Sequence, residues 1–209
     1  TPVMFRNRLD AARQLAGHLI HLKPDRPLVL AIPRGAVPMA RQLADTLEAD
    51  LDVVLVRKLG APGEPEVAVG AVDESGWVWL APHAARFGAD QDYLAAETAR
   101  QLERIRERRR RYSPIHKPLG VAGRTVIVVD DGLATGATMV AALHSLRQQQ
   151  PARLVCAVPV ASPEALALVR PLADEVVCLL VPARFQAVGQ FYRDFPQVSD
   201  DEVEALLRD

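Results

Sequence analysis

Apolar residues at Leu9, Ala12, Leu15, Ala16, Leu19 and Ile20 recur three and four positions apart, so the chain is expected to open with an amphipathic helix, ended by Pro24 and Pro27. Leu28–Ile32 is a short, wholly apolar run, the pattern of a strand buried on both faces. Pro33-Arg34-Gly35 interrupts it, and helical spacing resumes over Val37–Leu47. Leu51–Val56 reads as a second buried strand, followed by a Gly- and Pro-rich loop, Gly60–Pro65. Val67–Val72 and Trp77–Leu80 flank the polar turn Asp73-Glu74-Ser75-Gly76 and predict a hairpin. Asp90–Tyr112 is a long, strongly charged helix, and Val121–Gly123 breaks the pattern after it. Three further apolar runs, Thr125–Val129, Leu154–Val160 and Val176–Val181, alternate with helical stretches at Thr138–Arg147 and Pro163–Val169. A short helix, Asp200–Leu207, closes the chain.

Strands of continuous apolar character alternating with helices call for a doubly wound α/β fold, a mostly parallel sheet covered on both faces. No repeat or linker divides the chain, so residues 1–209 are read as one domain. That domain carries a hairpin and long-helix insertion and a small C-terminal hood over 181–209. In such folds ligands sit beyond the carboxyl ends of the strands, which directs attention to the loops after Ile32, Val56 and Val129.

Composition narrows the choice. With 209 residues, 49% hydrophobic and 24% charged, the chain has ample surface to bury, and disorder is excluded as its main state. Twenty-five Lys and Arg against 26 Asp and Glu leave a net charge of −1, so a general nucleic-acid binder is not expected. No apolar run is long enough to cross a membrane, and the charged N-terminal segment is not a signal-peptide pattern. Cys156 and Cys178 sit in apolar strands without a CxxC pair and read as reduced core residues, which points to the cytoplasm. His18 and His21 form an HxxH without companion ligands, and a wet helix face explains them better than a metal site. The run Arg104, Arg106 and Arg108–Arg111 reads first as the solvated cationic end of a helix, diluted by Glu103 and Glu107.

The most informative segment is Val128-Val129-Asp130-Asp131-Gly132-Leu133-Ala134-Thr135-Gly136-Ala137-Thr138. A buried strand ends in two adjacent carboxylates, and a loop of small residues then leads straight into a helix. Gly132 and Gly136 permit close approach of a ligand, and the N–H groups of Ala134, Thr135, Gly136 and Ala137 at a helix N-terminus suit an anion. Thr135 and Thr138 add hydroxyl donors. Carboxylates repel phosphate, so their nearness to an anion cradle needs a ligand with both characters. A sugar phosphate has them, since its hydroxyls donate to carboxylates while the loop takes the phosphate. Neither a P-loop Gly-Lys-Ser/Thr nor a GxGxxG dinucleotide turn is present.

This segment resembles the phosphoribosyl-pyrophosphate signature of the type I phosphoribosyltransferases. The plainer alternative is a capped strand–helix turn. The resemblance implies that Asp130 and Asp131 bind ribose hydroxyls and that Gly132 and Ala134–Thr138 hold the 5′-phosphate. Ala31-Ile32-Pro33-Arg34-Gly35-Ala36 resembles the family's pyrophosphate loop, with Arg34 as a guanidinium donor, Gly35 for close approach and Pro33–Arg34 as the bond to inspect for a cis peptide. Arg57 and Lys58 follow the second strand, and Gly60–Val67 resembles the mobile loop that closes over substrate and excludes water. Together with Ala187-Val188-Gly189 and Phe191-Tyr192, these segments also resemble a bacterial subgroup of unsettled substrate.

The implied reaction is displacement of pyrophosphate from phosphoribosyl pyrophosphate by a nitrogenous base or similar small acceptor. Mg2+ would be bound mainly through the substrate, without a metal site of the protein's own, and Arg34, Lys58, Asp130 and Asp131 are the catalytic candidates. Ala134 stands where 6-oxopurine enzymes usually carry an aspartate, which makes a hypoxanthine or guanine acceptor the weaker expectation. The aromatic-rich stretch Pro182–Phe195 could serve acceptor stacking, though packing of the C-terminus explains it at least as well. The family's frequent dimers make a homodimer the expectation. Two other functions stay open: a regulator that senses phosphoribosyl pyrophosphate without transferase activity, and a sugar-phosphate hydrolase, for which no nucleophile–base set is present.

Overall fold

A computed structural model describes residues 4–208 of the protein. Residues 1–3 and 209 of the expected 1–209 domain lie outside the described residues. In chain order the elements are α1 (Arg8–Gly17), β1 (Leu28–Ala31), α2 (Val37–Leu47), β2 (Asp50–Val53), β3 (Val56–Ala61), β4 (Glu64–Asp73), β5 (Val78–Leu80), α3 (Gln91–Tyr112), β6 (Thr125–Val129), α4 (Ala137–Arg147), β7 (Arg153–Val160), α5 (Pro163–Val169), β8 (Glu175–Leu180) and α6 (Asp200–Arg208).

Five strands form a sheet in the order β2-β1-β6-β7-β8, every neighbouring pair parallel. Successive side chains on a strand point to opposite faces, so each all-apolar strand serves two cores. Val29, Ala31, Ile127 and Val129 join α1 and α2 on one face. Leu28, Leu30, Val126 and Val128 join α4 and α5 on the other. This is the doubly wound arrangement the pattern predicts. β1 lies between β2 and β6, so the chain's winding reverses there, and the loops after β1 and β6 open side by side.

Three sequence expectations are corrected. The run Leu51–Val56 is not one strand. It divides into β2, in the parallel sheet, and β3, which starts a separate antiparallel sheet β3-β4-β5. Periodicity could not mark the division, because Val53, Val54, Leu55 and Val56 are all buried. The expected loop Gly60–Pro65 is largely strand, with β3 and β4 paired from Val56↔Asp73 to Ala61↔Glu64 and turning at Pro62-Gly63. The register slips at Leu59/Gly60 and Gly60/Ala61, and the Gly60 N–H donates to buried Glu97 of α3 at 2.8 Å. The opening helix is also shorter than its periodicity suggests. It stops at Gly17, and a 3-10 segment over Ile20–Asp25 accommodates Pro24, leaving Ile20 exposed.

α4 is wedged between the two sheets, with Ala68, Ala71 and Cys156 in the same core as its Met139, Leu143 and Leu146. Leu143 is fully buried. Leu143→Ala is expected to cost about 2–5 kcal/mol through lost burial and a cavity. Thermal unfolding of the variant is expected to begin earlier, by about 2–4 °C per kcal/mol for a chain of this size. An unchanged midpoint would show that α4 does not depend on this contact.

Candidate active site

The two loops at the reversal point meet directly. Ile32 N–H donates to Val129 O at 3.2 Å, which holds the end of β1 to the end of β6. A Cβ at Gly35 would lie 2.5 Å from Asp131 Oδ2 and 3.2 Å from Arg8 Nη2, so only glycine lets the two loops approach. The Pro33–Arg34 peptide between them is cis, at the bond the sequence reading singled out.

Asp130 and Asp131 stand at the C-terminal end of β6. Asp130 Oδ1 accepts the Asp131 N–H at 2.8 Å, which turns the backbone away from the strand. Burial, and then the neighbouring Asp131 charge, push the Asp130 carboxyl well above the ordinary carboxylate range. Asp131 is also raised by burial, against the opposing pull of the Arg8 guanidinium 3.4 Å from its Oδ2.

The loop continues over a rigid floor. Leu133 N–H donates to Val160 O at 2.9 Å, and Ser162 N–H returns to Leu133 O at 2.9 Å. Ser162 Oγ donates to Ala134 O at 2.7 Å and also caps α5 by accepting the Ala165 N–H at 3.1 Å. Gly132 is buried against Val188. Gly136 has φ +84°, a conformation other residues adopt at a cost, and it turns the chain into α4. Thr135 Oγ1 accepts the Ala137 N–H at 3.3 Å. Ala134 and Thr135 are exposed and Thr138 is half-buried, so the mouth of the loop faces outward above the N-terminus of α4.

The structure therefore gathers Gly35, Asp130, Asp131, Gly132, Ala134, Thr135, Gly136, Ala137 and Thr138 at one place. Arg57 and Lys58 part company, because they alternate on β3. Lys58 pairs across the sheet with Ala71, on the face that packs against α4, and its Nζ lies 3.3 Å from Glu66. Arg57 pairs with Val72 on the α3 face and donates to Gln101 Oε1 at 2.9 Å. Arg34 reaches away toward α6, 3.7 Å from Asp200.

Two supporting contacts were not foreseen from the sequence, one made by Arg8 and one by Tyr192, which the sequence had marked only as part of the aromatic stretch and of the subgroup resemblance. Arg8 donates to Pro196 O and lies over the Phe195 ring at 4.0 Å, besides facing Asp131. Tyr192 donates its hydroxyl to the Asp131 backbone oxygen at 2.6 Å. Phe5, Tyr192 and Phe195 pack ring to ring in tilted contacts, and Phe191 is wholly buried. Packing thus accounts for most of the aromatic stretch. Ser162-Pro163 was a legible helix-start signal, but nothing local in it pointed to Ala134.

The arginine run of α3 is not simply a solvated helix end. Arg104, Arg108 and Arg111 line a cavity together with Arg34 and Arg57, while Arg109 pairs with Glu74 at 2.7 Å. The isolated sequence could not bring β3 and the loop after β1 to that face.

Comparison with known proteins gives the family of the chain. The model of the phosphoribosyl transferase domain matches residues 5–195. The chain belongs to the phosphoribosyltransferase family. Two Mycobacterium tuberculosis proteins bearing the name "Putative phosphoribosyl transferase", from strains CDC 1551 and H37Rv, are each 44% identical over 206 residues, which cover 98% of this chain and 46% of the relative. The chain thus spans about half the length of the curated relatives it matches. The crystal structure of TT1426 from Thermus thermophilus is 50% identical, with a TM-score of 0.82 and 98% of both chains covered. A Neisseria gonorrhoeae protein crystallised with ppGpp has a TM-score of 0.55 at 16% identity over 98% of this chain and 97% of its own, a likeness of fold alone. The membership and the parallel sheet place this phosphoribosyltransferase domain among the type I folds. No helix among its described residues is long and apolar enough to cross a membrane.

The raised Asp130 carboxyl has a consequence for stability. A carboxyl whose pKa is higher in the folded than in the unfolded state makes the folded state hold more protons, so its charge costs stability as pH rises through the raised value. Asp130→Asn removes that charge. Its melting temperature is expected to exceed the parent's at neutral and alkaline pH, with the gain vanishing toward pH values at which both states are protonated. Melting curves across the pH range check this, and a gain that is constant with pH would contradict it.

Proposed function

We propose that this phosphoribosyltransferase domain transfers the phosphoribosyl group of phosphoribosyl pyrophosphate to a nitrogenous base or similar small acceptor. What supports the reading most is the pairing of two half-buried carboxylates with an outward-facing, small-residue loop on the N-terminus of α4. Ribose hydroxyls donate to Asp130 and Asp131, and the 5′-phosphate takes the N–H groups and hydroxyls of Ala134–Thr138. Gly132 and Gly35 let the backbone approach, and Arg34, which lies toward Asp200 in the free protein, would turn back to meet the pyrophosphate. Lys58, on the face of β3 turned toward α4, adds charge from the other side.

In the reaction a ring nitrogen of the acceptor forms a bond to the anomeric carbon as the carbon–oxygen bond to pyrophosphate breaks. Positive charge developing on the sugar ring is balanced by the two carboxylates, and negative charge on the leaving pyrophosphate by Arg34 and Lys58. Mg2+ would enter the site on the pyrophosphate and sugar hydroxyls of the substrate rather than on the protein. Bound there, Mg2+ offsets charge on the leaving group. Ala134 offers no carboxylate to a 6-oxopurine, so a hypoxanthine or guanine acceptor suits the site less well, and the position selects no other base.

The test is to incubate the protein with Mg2+, phosphoribosyl pyrophosphate and a panel of bases and to follow pyrophosphate release. Acceptor-dependent release is expected, and Asp131→Asn is expected to reduce phosphoribosyl pyrophosphate binding by about tenfold or more while the protein stays folded. Binding without release across the panel would replace transfer by ligand sensing, and undiminished binding by Asp131→Asn would remove the proposed ribose contact.

A further inference from the structure

Arg8 stands in the first turn of α1, the end at which a helix dipole disfavours a cation. Its side chain is nevertheless drawn inward and is only 11% exposed. Nη1 donates to Pro196 O, the Phe195 ring lies against the guanidinium at 4.0 Å, and Nη2 reaches Asp131 Oδ2 at 3.4 Å. Nε is buried and has no hydrogen-bond partner among the described residues. A guanidinium placed only to tie the two ends of the chain together would spend its donors or leave them in water. Such a tie also needs no carboxylate beside it and no place against the loop after β1. Yet a Cβ on Gly35 would meet Arg8 Nη2 at 3.2 Å and Nε at 3.4 Å.

Few charges face the Asp130–Asp131 pair. Among the described residues Arg8 is the one cation within salt-bridge distance of either carboxylate. Arg34, from the loop after β1, points to Asp200 instead, and Asp10 of α1 is turned to Arg6. α2 and α4 open with the uncharged runs Val37-Pro38-Met39 and Ala137-Thr138-Met139. Tyr192 donates to the Asp131 backbone oxygen, and burial, then the Asp131 charge, keep its hydroxyl protonated. Arg193 and Asp194 beside it are exposed. On β7, burial, then Cys178 and Asp130, keep the Cys156 thiol protonated. Of this set only the two carboxyls change charge between acid and neutral pH. Burial raises both, and Arg8 opposes the rise at Asp131.

We propose that Arg8 is a positioning residue of the transfer site, which holds Asp131 ionised and fixes its Oδ2 so that Oδ1 is presented to the ribose hydroxyls. The inference rests on the phosphoribosyl-transfer reading. An ionised carboxylate only accepts hydrogen bonds, whereas a protonated one gives up acceptor capacity and adds a donor that competes with the ribose. Two adjacent, half-buried carboxyls left to themselves share a proton up to a higher pH. Arg8 biases which of the two is charged, because it touches Asp131 and not Asp130. Arginine suits the task, since it stays charged at every relevant pH and its fork reaches Pro196 O and Asp131 together. Phe195 and Pro196 hold the guanidinium in turn, so the aim of Asp131 depends on a segment more than sixty residues further along the chain.

Two titrations test this. In the first, carbon-13 NMR follows the aspartate side-chain carboxyls of the free protein with pH, and the signal lost in Asp131→Asn identifies Asp131. Arg8→Gln is expected to raise the midpoint of that signal by about one pH unit or more. Arg8→Lys, which keeps the charge, is expected to return most of the shift. In the second, phosphoribosyl pyrophosphate with Mg2+ is titrated into the same proteins by calorimetry over the same pH range. The acid limb of binding is expected to move up with the midpoint in Arg8→Gln, so that binding on the limb is weaker by about tenfold or more and the loss is smaller above it. An unchanged circular dichroism spectrum confirms the fold. If Arg8→Gln does not fold, Phe195→Leu, which removes the ring against the guanidinium and leaves the charge, takes its place and is expected to move midpoint and limb the same way by less. The proposal is overturned by an unmoved midpoint in the variant used, by Arg8→Lys titrating like Arg8→Gln, or by a loss of binding that is equal at every pH, which makes Arg8 a tie between chain ends. A parent protein that binds no phosphoribosyl pyrophosphate at any pH overturns the transfer reading and the use assigned to Arg8 with it, and that case is recognised because the carboxyl midpoint still shifts.

Discussion

Two neighbouring carboxylates at the buried end of a strand set the terms for the rest of this site. Neither is well solvated, and each raises the energy of the other's charge. Such a pair persists only if the surroundings hold it in place and supply compensating donors. The Asp131 N–H turns back to Asp130, Arg8 approaches Asp131 from α1, and the loop after β1 presses a glycine against the same carboxylate. The parallel sheet provides the frame, since only at its reversal point do two strand ends open next to each other. Packing, loop composition and electrostatics thus answer a single demand.

A second charge problem lies on the other side of Arg34, with the opposite sign. α3 carries its arginines at helical spacing, so several fall on one face. α6 brings Asp200, Asp201 and Glu204 against part of that face, and Tyr112 adds a hydroxyl to Asp200 at 3.2 Å. Arg111 is neutralised this way, whereas Arg104 and Arg108 lie beyond the reach of these carboxylates. Acidic excess around Asp130 and basic excess around Arg57 therefore flank one short loop, and the net charge of −1 conceals both.

The parallel sheet and its flanking helices were legible because all-apolar strands and periodic helices are local signals. The Asp130–Thr138 loop was legible for a similar reason, since its strand, acids, small residues and helix are contiguous. What escaped was set by contacts distant in sequence. The change from β2 to β3 happens inside an unbroken apolar run, where hydrophobicity carries no boundary. The Gly60–Pro65 stretch has the composition of a loop, yet Glu97, 37 residues later, captures the Gly60 N–H and ties the strand to α3. The Tyr93 hydroxyl donates to Gly60 O from the same helix. Arg8 looks unremarkable in its own segment, Tyr192 stands out only as one aromatic among several, and the contacts of both with Asp131 come from the fold.

The tie between Tyr192 and the Asp131 carbonyl bears on how the molecule is made. During synthesis β6 and its acidic loop leave the ribosome well before the segment around Tyr192 does, while Arg8 has long been waiting without Phe195 and Pro196 to rest on. The nascent chain can pair β1, β2 and β6 early, but its loop gains the final braces only when those late aromatics arrive. Pairing of the inner strands thus precedes the bracing of the Asp130–Thr138 loop along the chain.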